Sequence, residues 1–394
     1  MNKMLVEING TGTHNRGAEL MALAIATRLR KTSPGIRLAV GAGFGTVADR
    51  MRYGFLTSDD FSGFRSRLVT RIASDKFLND IGLVRMRDGS AILDASGFAF
   101  SDTWGTQQVF RLLKKIQTAS GRNKKLVFLP QAFGPFDRPD VAAACTRLFE
   151  RADLIYARDR DSFTAVEKLG SFKALRLCPD FTIALHGRLP DALKLPDRFA
   201  AIVPNARMLD KTEDREGRGY FRCLQQTVLA FRDASLNPVI VLHDAAEDRK
   251  LLPQLFAETG PLPVLESSDP LVLKGILGRA HVVFASRFHA LVGSLSQAVP
   301  CIGVGWSHKY HWLFHDFGCP ENLIQNSTSV DQLRDVVSRL CSEGSRQELI
   351  ERLQVRTSAL REQVEIMWHE VEACLELGPV PQKNPAPVPA SPLR

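Results

Sequence analysis

The sequence predicts an α/β protein built from two halves of similar size. Short apolar or β-branched segments alternate with longer amphipathic segments along most of the 394 residues, which is typical of parallel sheets covered by helices. The alternation weakens once, between residues 178 and 199, where Pro179, Pro190 and Pro196 interrupt a stretch without sustained periodicity. It resumes after residue 200, so we expect each half to form its own sheet, with a cleft between the two.

The elements follow from this alternation. In the first half the strands are predicted at 4–8, 36–40, 91–95, 126–130, 154–157 and 174–177, and the helices at 17–31, 106–118 and 159–169. In the second half the strands are predicted at 201–204, 239–242, 281–285 and 301–305, with helices between them and after residue 330. The predicted units are a first domain (1–185), a linker (186–199), a second domain (200–377) and a tail (378–394). The tail contains six prolines, which predicts a disordered, partly polyproline segment.

Composition excludes several classes of protein. With 44% hydrophobic and 24% charged residues, the chain is neither fibrous nor largely disordered. It contains no apolar run of the roughly 18 to 20 residues that would cross a bilayer, and Glu7 interrupts the region that a signal peptide needs, so we expect a cytoplasmic protein. The seven cysteines include no CxxC pair, which favours neither a disulfide framework nor a zinc site.

The net charge of +8 favours an anionic partner, which could be a phosphorylated substrate, an anionic lipid or a nucleic acid. Nucleic acid is the weakest of the three, because only four Trp and four Tyr are present and no known binding module occurs. Residues 103–136 carry six cations and no acidic residue. This segment is either a solvated helix face with its turn or a contact surface for an anionic membrane.

The most informative segment, residues 281–310, reads strand, helix, strand. Ser286 is a plausible N-cap of the helix, and the two strands end at the same edge of the sheet, where ligands of open α/β sheets bind. Arg287, His289 and Lys309 fall on that edge, and the first two lie at the helix start, whose unpaired N–H groups favour an anion. Together they predict an anion site with an acid/base group. In the alternative, His289 packs in the interface and Arg287 pairs with a surface carboxylate.

Three loops of the first half also follow strands. Residues 10–19 place Asn15, Gly17 and Glu19 at a strand end, but they match neither a Walker A loop nor the GxGxxG fingerprint. Residues 129–136 place Gln131 and Gly134 at another strand end. Residues 156–162 place Arg158 at a third, with Asp159 or Asp161 expected to cap the next helix.

No metal site is predicted. His308, His311 and His315 have helical spacing, but no acidic or cysteine ligand accompanies them in a recognisable order. The GxSxG and HExxH motifs do not occur, so serine-hydrolase and zincin chemistry have no support.

The chain resembles the polysaccharide pyruvyl transferase family. The matching segments are NRGAE (15–19), LPQAFGPF (129–136), YARDRDS (156–162), CPDFTIAL (178–185) and SRFHALVGSLSQAVPCIGVGWSHKY (286–310). The resemblance implies a GT-B-like fold, with two Rossmann-like domains around a cleft. It also implies transfer of a carboxyethylidene group from phosphoenolpyruvate to two hydroxyls of a sugar in a polysaccharide or its lipid-linked precursor.

By the same resemblance, Arg158, Arg287 and Lys309 bind phosphoenolpyruvate and His289 relays the proton. The acceptor side then holds Asn15, Gly17, Glu19, Gln131 and Gly134. No cofactor or metal is required for this chemistry. Lipid-linked acceptors and the basic segment 103–136 together predict peripheral contact with an anionic membrane. Two alternatives stay open: a GT-B glycosyltransferase, with Glu266 as the candidate for a nucleotide ribose, and a non-enzymatic protein that binds an anion or a glycan.

Overall fold

A computed structural model describes residues 4–59, 73–85, 89–117, 124–210, 214–305 and 307–378. They form two parallel sheets, as the alternating pattern predicts. Most of the tail predicted to be disordered, from residue 379 onward, lies outside the described residues, as do Arg122 and Trp306.

The first sheet has eight strands in the order β4-β3-β2-β1-β5-β6-β7-β8, and the second has six in the order β11-β10-β9-β12-β13-β14. The strands of the first sheet are β1 (Leu5–Asn9), β2 (Arg37–Val40), β3 (Leu56–Ser58), β4 (Leu83–Val84), β5 (Ala91–Asp94), β6 (Lys125–Gln131), β7 (Leu154–Ala157) and β8 (Leu175–Leu177). Those of the second are β9 (Phe199–Val203), β10 (Asn237–Leu242), β11 (Val264–Glu266), β12 (Val282–Ala285), β13 (Cys301–Val304) and β14 (Leu323–Ile324).

Helices connect the strands. In chain order they are α1 (Arg16–Thr32), α2 (Val47–Arg52), α3 (Asp75–Asp80), α4 (Gln107–Gln117), α5 (Pro139–Phe149), α6 (Arg160–Leu169), α7 (Arg207–Asp210), α8 (Asp214–Asp233), α9 (Ala245–Asp248), α10 (Leu252–Thr259), α11 (Pro270–Gly278), α12 (Phe288–Leu295), α13 (His308–Asp316), α14 (Val330–Cys341) and α15 (Glu343–Cys374). A short 3-10 helix, Phe181–Ala184, lies between the two sheets in the sequence.

All the predicted strands are present, but β3, β4, β11 and β14 were not predicted. Each is two or three residues long, too short to show a periodicity. Three of them lie at an edge of their sheet. Residues 42–44 form one turn of 3-10 helix. The boundaries at residues 185 and 200 stay predictions.

The order of the strands explains where a ligand can bind. In the first sheet β2 pairs with one edge of β1 and β5 with the other, so the strand order reverses at β1. In the second sheet β10 and β12 flank β9 in the same way. At such a reversal the loops after neighbouring strands separate and leave a crevice at their carboxyl ends. The loops after β1, β5, β9 and β12 therefore define the region of the cleft.

The last helix, α15, joins the two cores. Leu349, Leu353 and Leu360, in its first part, pack in the core of the second sheet. Val364, Met367, Trp368 and Val371, in its last part, pack in the core of the first. The helix therefore crosses from the core of the second sheet to that of the first, and Ile366, whose side chain is 61% exposed, lies on its outer face.

The basic segment 103–136 is not a uniformly solvated surface. Lys115 Nζ lies 2.7 Å from Glu7 Oε1, and Lys125 Nζ lies 3.1 Å from Asp153 Oδ1. The segment therefore offers fewer charges to a membrane than its sequence indicates, and peripheral membrane contact stays a prediction. None of the helices in the described part of the chain combines the length and the hydrophobicity needed to span a bilayer.

The crossing of α15 yields a stability test. Trp368→Ala should lower the free energy of unfolding by about 3 to 5 kcal/mol, because it removes a side chain that is 2% exposed and packs edge-on against Phe181 with ring centroids 5.9 Å apart. Ile366→Ala, on the exposed face of the same helix, should change it by less than about 0.5 kcal/mol. Equal losses in denaturant titrations of the two variants would contradict this packing.

Candidate active site

A cavity of about 760 Å³ lies between the two sheets and is lined by residues of both. Its described lining contains no aspartate or glutamate, but it contains six cationic side chains: Arg111, Lys115, Arg158, Arg207, Arg287 and Lys309. Since a cleft lined by one sign of charge concentrates ligands of the opposite sign, this cavity is suited to an anion.

Arg287 lies at the start of α12, as the strand–helix–strand pattern predicts. It occupies the N-cap position with extended backbone, and its Nη2 contacts Asp248 and lies 3.7 Å from Asp244 Oδ2. Asp248 is fully buried and also accepts a hydrogen bond from the backbone N–H of Ala206 at 3.0 Å. Arg287 therefore pairs with carboxylates, but the closer one, Asp248, is buried and not on the surface. Asp248 lies outside the cavity lining and fixes the guanidinium at the wall of the cavity.

Ser286 is not the N-cap that the sequence suggested. Its hydroxyl lies 2.5 Å from the hydroxyl of Tyr220, and its carbonyl accepts hydrogen bonds from Asn205 Nδ2 at 3.1 Å and from Tyr310 Oη at 3.0 Å. Ser286 is fully buried. It therefore fixes the loop after β12 from behind, while Arg287 takes the cap position.

His289 and Arg158 come from different halves of the chain and meet at one carboxylate. Asp180 Oδ2 lies 3.1 Å from Arg158 Nη1 and 3.5 Å from His289 Nε2. Burial alone would raise the pKa of Asp180, but its electrostatic interactions with His289 and Arg158 and the hydrogen bond from Thr182 lower it below its usual value. Asp180 is therefore a permanent anion that orients one cation and one imidazole.

Asp180 is itself held in place. Its Oδ1 accepts hydrogen bonds from the backbone N–H of Thr182 at 2.9 Å and from its hydroxyl at 2.5 Å. The carbonyl of Thr182 accepts a hydrogen bond at 2.8 Å from Nζ of Lys274, a buried residue of α11. Burial lowers the pKa of Lys274 to about 7, although the charge of Asp180 opposes this. The chain of contacts ties α11 of the second half to the carboxylate.

Gly17 brings α1 close to His289. A Cβ atom at position 17 would overlap Nδ1 of the imidazole, so only glycine leaves room for the ring. Asn15 caps α1 by accepting a hydrogen bond from the N–H of Gly17 at 2.8 Å. Both residues line the cavity, which places the start of α1 opposite the start of α12.

Lys309 lies at the start of α13 and forms one wall with aromatic rings. Its Nζ lies 5.4 Å from the ring centroid of Phe288 and 5.7 Å from that of Phe98. The guanidinium carbon of Arg158 lies 4.1 Å from the same Phe288 centroid. Phe288 is thus in contact with both cations, and such contacts favour a fixed position of the charged groups.

Three predicted residues do not line the cavity. Glu19 is buried and accepts hydrogen bonds from Tyr53 Oη, at 2.5 Å, and from Arg16. Gln131 is fully buried, and its Nε2 donates to Asp94 Oδ1 at 3.0 Å. Gly134 has a φ of +77°, which is favourable for glycine, and a Cβ there would overlap that of Ala165. The structure places these residues in the scaffold beneath and beside the cleft.

Several lining residues were not predicted. His243 and Asn205 follow β10 and β9, so the rule that selected Arg158 could also have selected them. Burial, together with the charges of Arg287 and His289, lowers the pKa of His243 to about 3, so its imidazole is neutral. Asp180, which lies outside the cavity lining, was not predicted as a site residue, because nothing in the local sequence shows that its carboxylate reaches both halves.

The three spaced histidines do not form a metal site. His308 Nε2 lies 3.5 Å from Asp159 Oδ1, while His311 and His315 lie close to each other with ring centroids 6.5 Å apart. Asp159 also caps α6, as predicted, by accepting from the N–H of Ser162. Over the described ranges no group of three or more histidine, cysteine, aspartate or glutamate side chains is arranged to hold a metal ion.

Comparison with known proteins identifies the family. The sequence matches the polysaccharide pyruvyl transferase family over residues 15–308, which includes every predicted site residue except Lys309, the next residue after the match ends. None of the curated proteins compared with the chain matches it.

Solved structures share the overall fold at low sequence identity. The Anabaena protein Alr3699/HepE, in complex with UDP and glucose, is 11% identical, with a TM-score of 0.57 over 95% of this chain and 100% of that one. The UDP-GlcNAc 2-epimerase of Neisseria meningitidis is 10% identical, with a TM-score of 0.57 over 94% of this chain and 100% of that one. Such values support the GT-B-like fold alone.

Proposed function

The chain belongs to the polysaccharide pyruvyl transferase family, and we propose that it transfers a carboxyethylidene group from phosphoenolpyruvate to two hydroxyls of one sugar. The acceptor is a polysaccharide or its lipid-linked precursor. The observation that carries this proposal is the cavity with six cations and no carboxylate in its described lining. Phosphoenolpyruvate carries a phosphate and a carboxylate on three carbon atoms, so it needs several cations within a small volume.

Arg158 and Arg287 are the residues proposed to hold the two anionic groups. A guanidinium offers five N–H donors in a planar fork that matches phosphate and carboxylate. Both residues line the cavity, and a buried carboxylate orients each guanidinium, Asp180 for Arg158 and Asp248 for Arg287. An anion bound between the two arginines accepts hydrogen bonds from them, and Lys309 adds a third positive charge.

His289 is proposed to protonate phosphoenolpyruvate. Nε2 of its imidazole faces Asp180, and Nδ1 faces the start of α1, so Nδ1 is the nitrogen assigned to proton transfer. The Asp180 carboxylate stabilises the imidazolium that carries the proton. A positioned acid/base of this kind contributes about a hundred- to ten-thousand-fold to a rate.

The proposed reaction proceeds in two additions. His289 transfers a proton to the methylene carbon of the enol phosphate, and the positive charge that develops at C2 is attacked by a sugar hydroxyl. The bond between C2 and the phosphate oxygen then breaks and phosphate leaves. The second hydroxyl attacks C2 and closes the ketal. Of the two hydroxyl protons, one returns to His289 and one leaves with the phosphate, so no metal or cofactor is needed.

The alternative is an enzyme that uses a nucleotide sugar. The similar structures include proteins with UDP or UDP-GlcNAc bound. Glu266, the candidate for a nucleotide ribose, does not line the cavity and pairs with Arg249 at a half-exposed position. This observation favours phosphoenolpyruvate. A non-enzymatic anion-binding protein would share the cavity but would form no ketal from phosphoenolpyruvate.

Two variants separate binding from chemistry. Arg287→Ala should weaken phosphoenolpyruvate binding by about tenfold or more, because it removes a charge-assisted contact. His289→Ala should leave that affinity nearly unchanged and lower kcat by about a hundred- to ten-thousand-fold. Calorimetry gives the affinity, and ketal formation with glycan acceptors gives kcat. His311→Ala, an exposed histidine of α13 outside the cavity, is the matched control.

Two results would contradict the assignment. Wild-type turnover by His289→Ala would make His289 a packing residue. Binding of UDP-sugars but not of phosphoenolpyruvate by the wild-type protein would favour the nucleotide-sugar alternative.

The close approach of α1 to His289 gives a second prediction. Gly17→Ala should keep the protein folded, since alanine is a good helix residue, but the added methyl group should displace the imidazole and lower kcat by tenfold or more. Gly35→Ala, where a Cβ meets nothing within 4 Å, is the control for the effect of alanine itself. Thermal unfolding checks the fold of both variants. Unchanged kcat in Gly17→Ala would show that His289 does not need its observed position.

A further inference from the structure

One face of α4 (Gln107–Gln117) lines the part of the cavity that belongs to the first sheet. We propose that this face, with the preceding turn, binds the acceptor and that the acceptor is an acidic sugar, bearing a phosphate or a carboxylate near the sugar that is modified. This inference rests on the proposed function and names the class of its second substrate. The residues concerned are Trp104, Gln107, Gln108, Arg111 and Lys115.

The spacing of these residues makes a continuous surface. At 3.6 residues per turn, the four residues of the helix fall within about 100° of its circumference, and Trp104 lies in the turn before it. The helix is held from the opposite side, where Val109 and Leu113 are buried in the core with Val141. The surface is therefore both fixed in position and open to the cavity.

The two cations of this face differ in their surroundings. Nζ of Lys115 lies 2.7 Å from Glu7 Oε1 and 3.0 Å from Asn9 Oδ1, which hold it at the floor of the cavity. Arg111, one turn nearer the rim, is exposed and makes no ion pair with any residue in the described part of the chain. Of the two cations on this face, Arg111 is therefore the one whose guanidinium can pair with an anionic ligand.

The side-chain types point to a sugar with a negative charge. Trp104 is 42% exposed and offers a flat apolar surface against which the C–H face of a sugar ring packs. The amides of Gln107 and Gln108 both donate and accept hydrogen bonds, as hydroxyl groups require. Arg111 supplies the fork for a phosphate or carboxylate. A neutral glycan would gain nothing from that positive charge.

The size of the cavity allows both substrates at once. Sites of roughly 300 to 1,000 Å³ hold ligands of drug size, whereas phosphoenolpyruvate has only ten non-hydrogen atoms. Of the residues assigned to phosphoenolpyruvate, Arg287 and His289 lie at the start of α12 and Lys309 at the start of α13. Arg158 follows β7 but packs against Phe288 of α12. The remainder of the 760 Å³ cavity, toward α4, is left for the acceptor.

The test measures the binding of three simple probes to the full-length protein in the presence of saturating phosphoenolpyruvate: glucose 1-phosphate, glucuronic acid and glucose. Both anionic probes, or one of them, should bind at least tenfold more tightly than glucose, and the preferred one identifies the source of the charge. Arg111→Gln should lower the ratio of the affinity for the anionic probe to that for glucose by about tenfold. Lys114→Gln, an exposed neighbour on α4 that does not line the cavity, should keep it.

A second pair of variants tests the aromatic surface. Trp104→Ala should weaken all probes to a similar extent, and Phe110→Ala, which is 52% exposed but outside the cavity, should not. Equal affinity for the three probes, no binding of either anionic probe, or the same loss in Lys114→Gln would overturn the inference. Titrating the same probes into Arg287→Ala separates the acceptor-site proposal from the proposed function. Probe binding that survives this substitution takes place outside the phosphoenolpyruvate site.

Discussion

The contact of Asp180 with Arg158 and His289 is the interaction on which the site depends. Arg158 follows β7 of the first sheet and His289 lies on α12 of the second, so a single buried carboxylate connects the two halves at the point where they face the cavity. Removing either partner would leave a buried charge incompletely paired, which is costly. The 3-10 helix after Asp180 and the bond from Lys274 to Thr182 hold the carboxylate in position. Asp180 therefore both connects the two walls of the cleft and orients the imidazole of His289.

The same arrangement recurs behind other cations of the cavity. Arg287 is backed by Asp248 and Lys115 by Glu7, and both carboxylates are fully buried outside the cavity lining. Each acidic group fixes the direction of a positive group and, because it lies outside the cavity lining, does not itself contact the ligand. A site arranged in this way is ready for an anion before the anion binds, which reduces the reorganisation needed during the reaction.

The sequence predicted the fold better than it predicted the walls of the site. Alternating apolar segments and strand-end loops located the two sheets, Arg158 and the segment with Arg287 and His289, because these signals are local. Asp180 and the face of α4 depend on contacts between distant segments, whereas His243 follows β10 and the same local rule could have located it. Glu19 and Gln131 were placed at the cavity because they follow strands, but their side chains turn toward Tyr53 and Asp94. The end of a strand locates a residue near the crevice, and the direction of its side chain follows from packing.

The central claim is that the cavity holds phosphoenolpyruvate while its methylene carbon receives a proton from His289. The most direct measurement is a reaction in D₂O with phosphoenolpyruvate and a glycan acceptor, with the intact product analysed by NMR and mass spectrometry. The account predicts a cyclic ketal whose methyl group carries one deuterium, formed together with one phosphate per turnover. A ketal methyl group without deuterium, or consumption of a UDP-sugar without ketal formation, would contradict it.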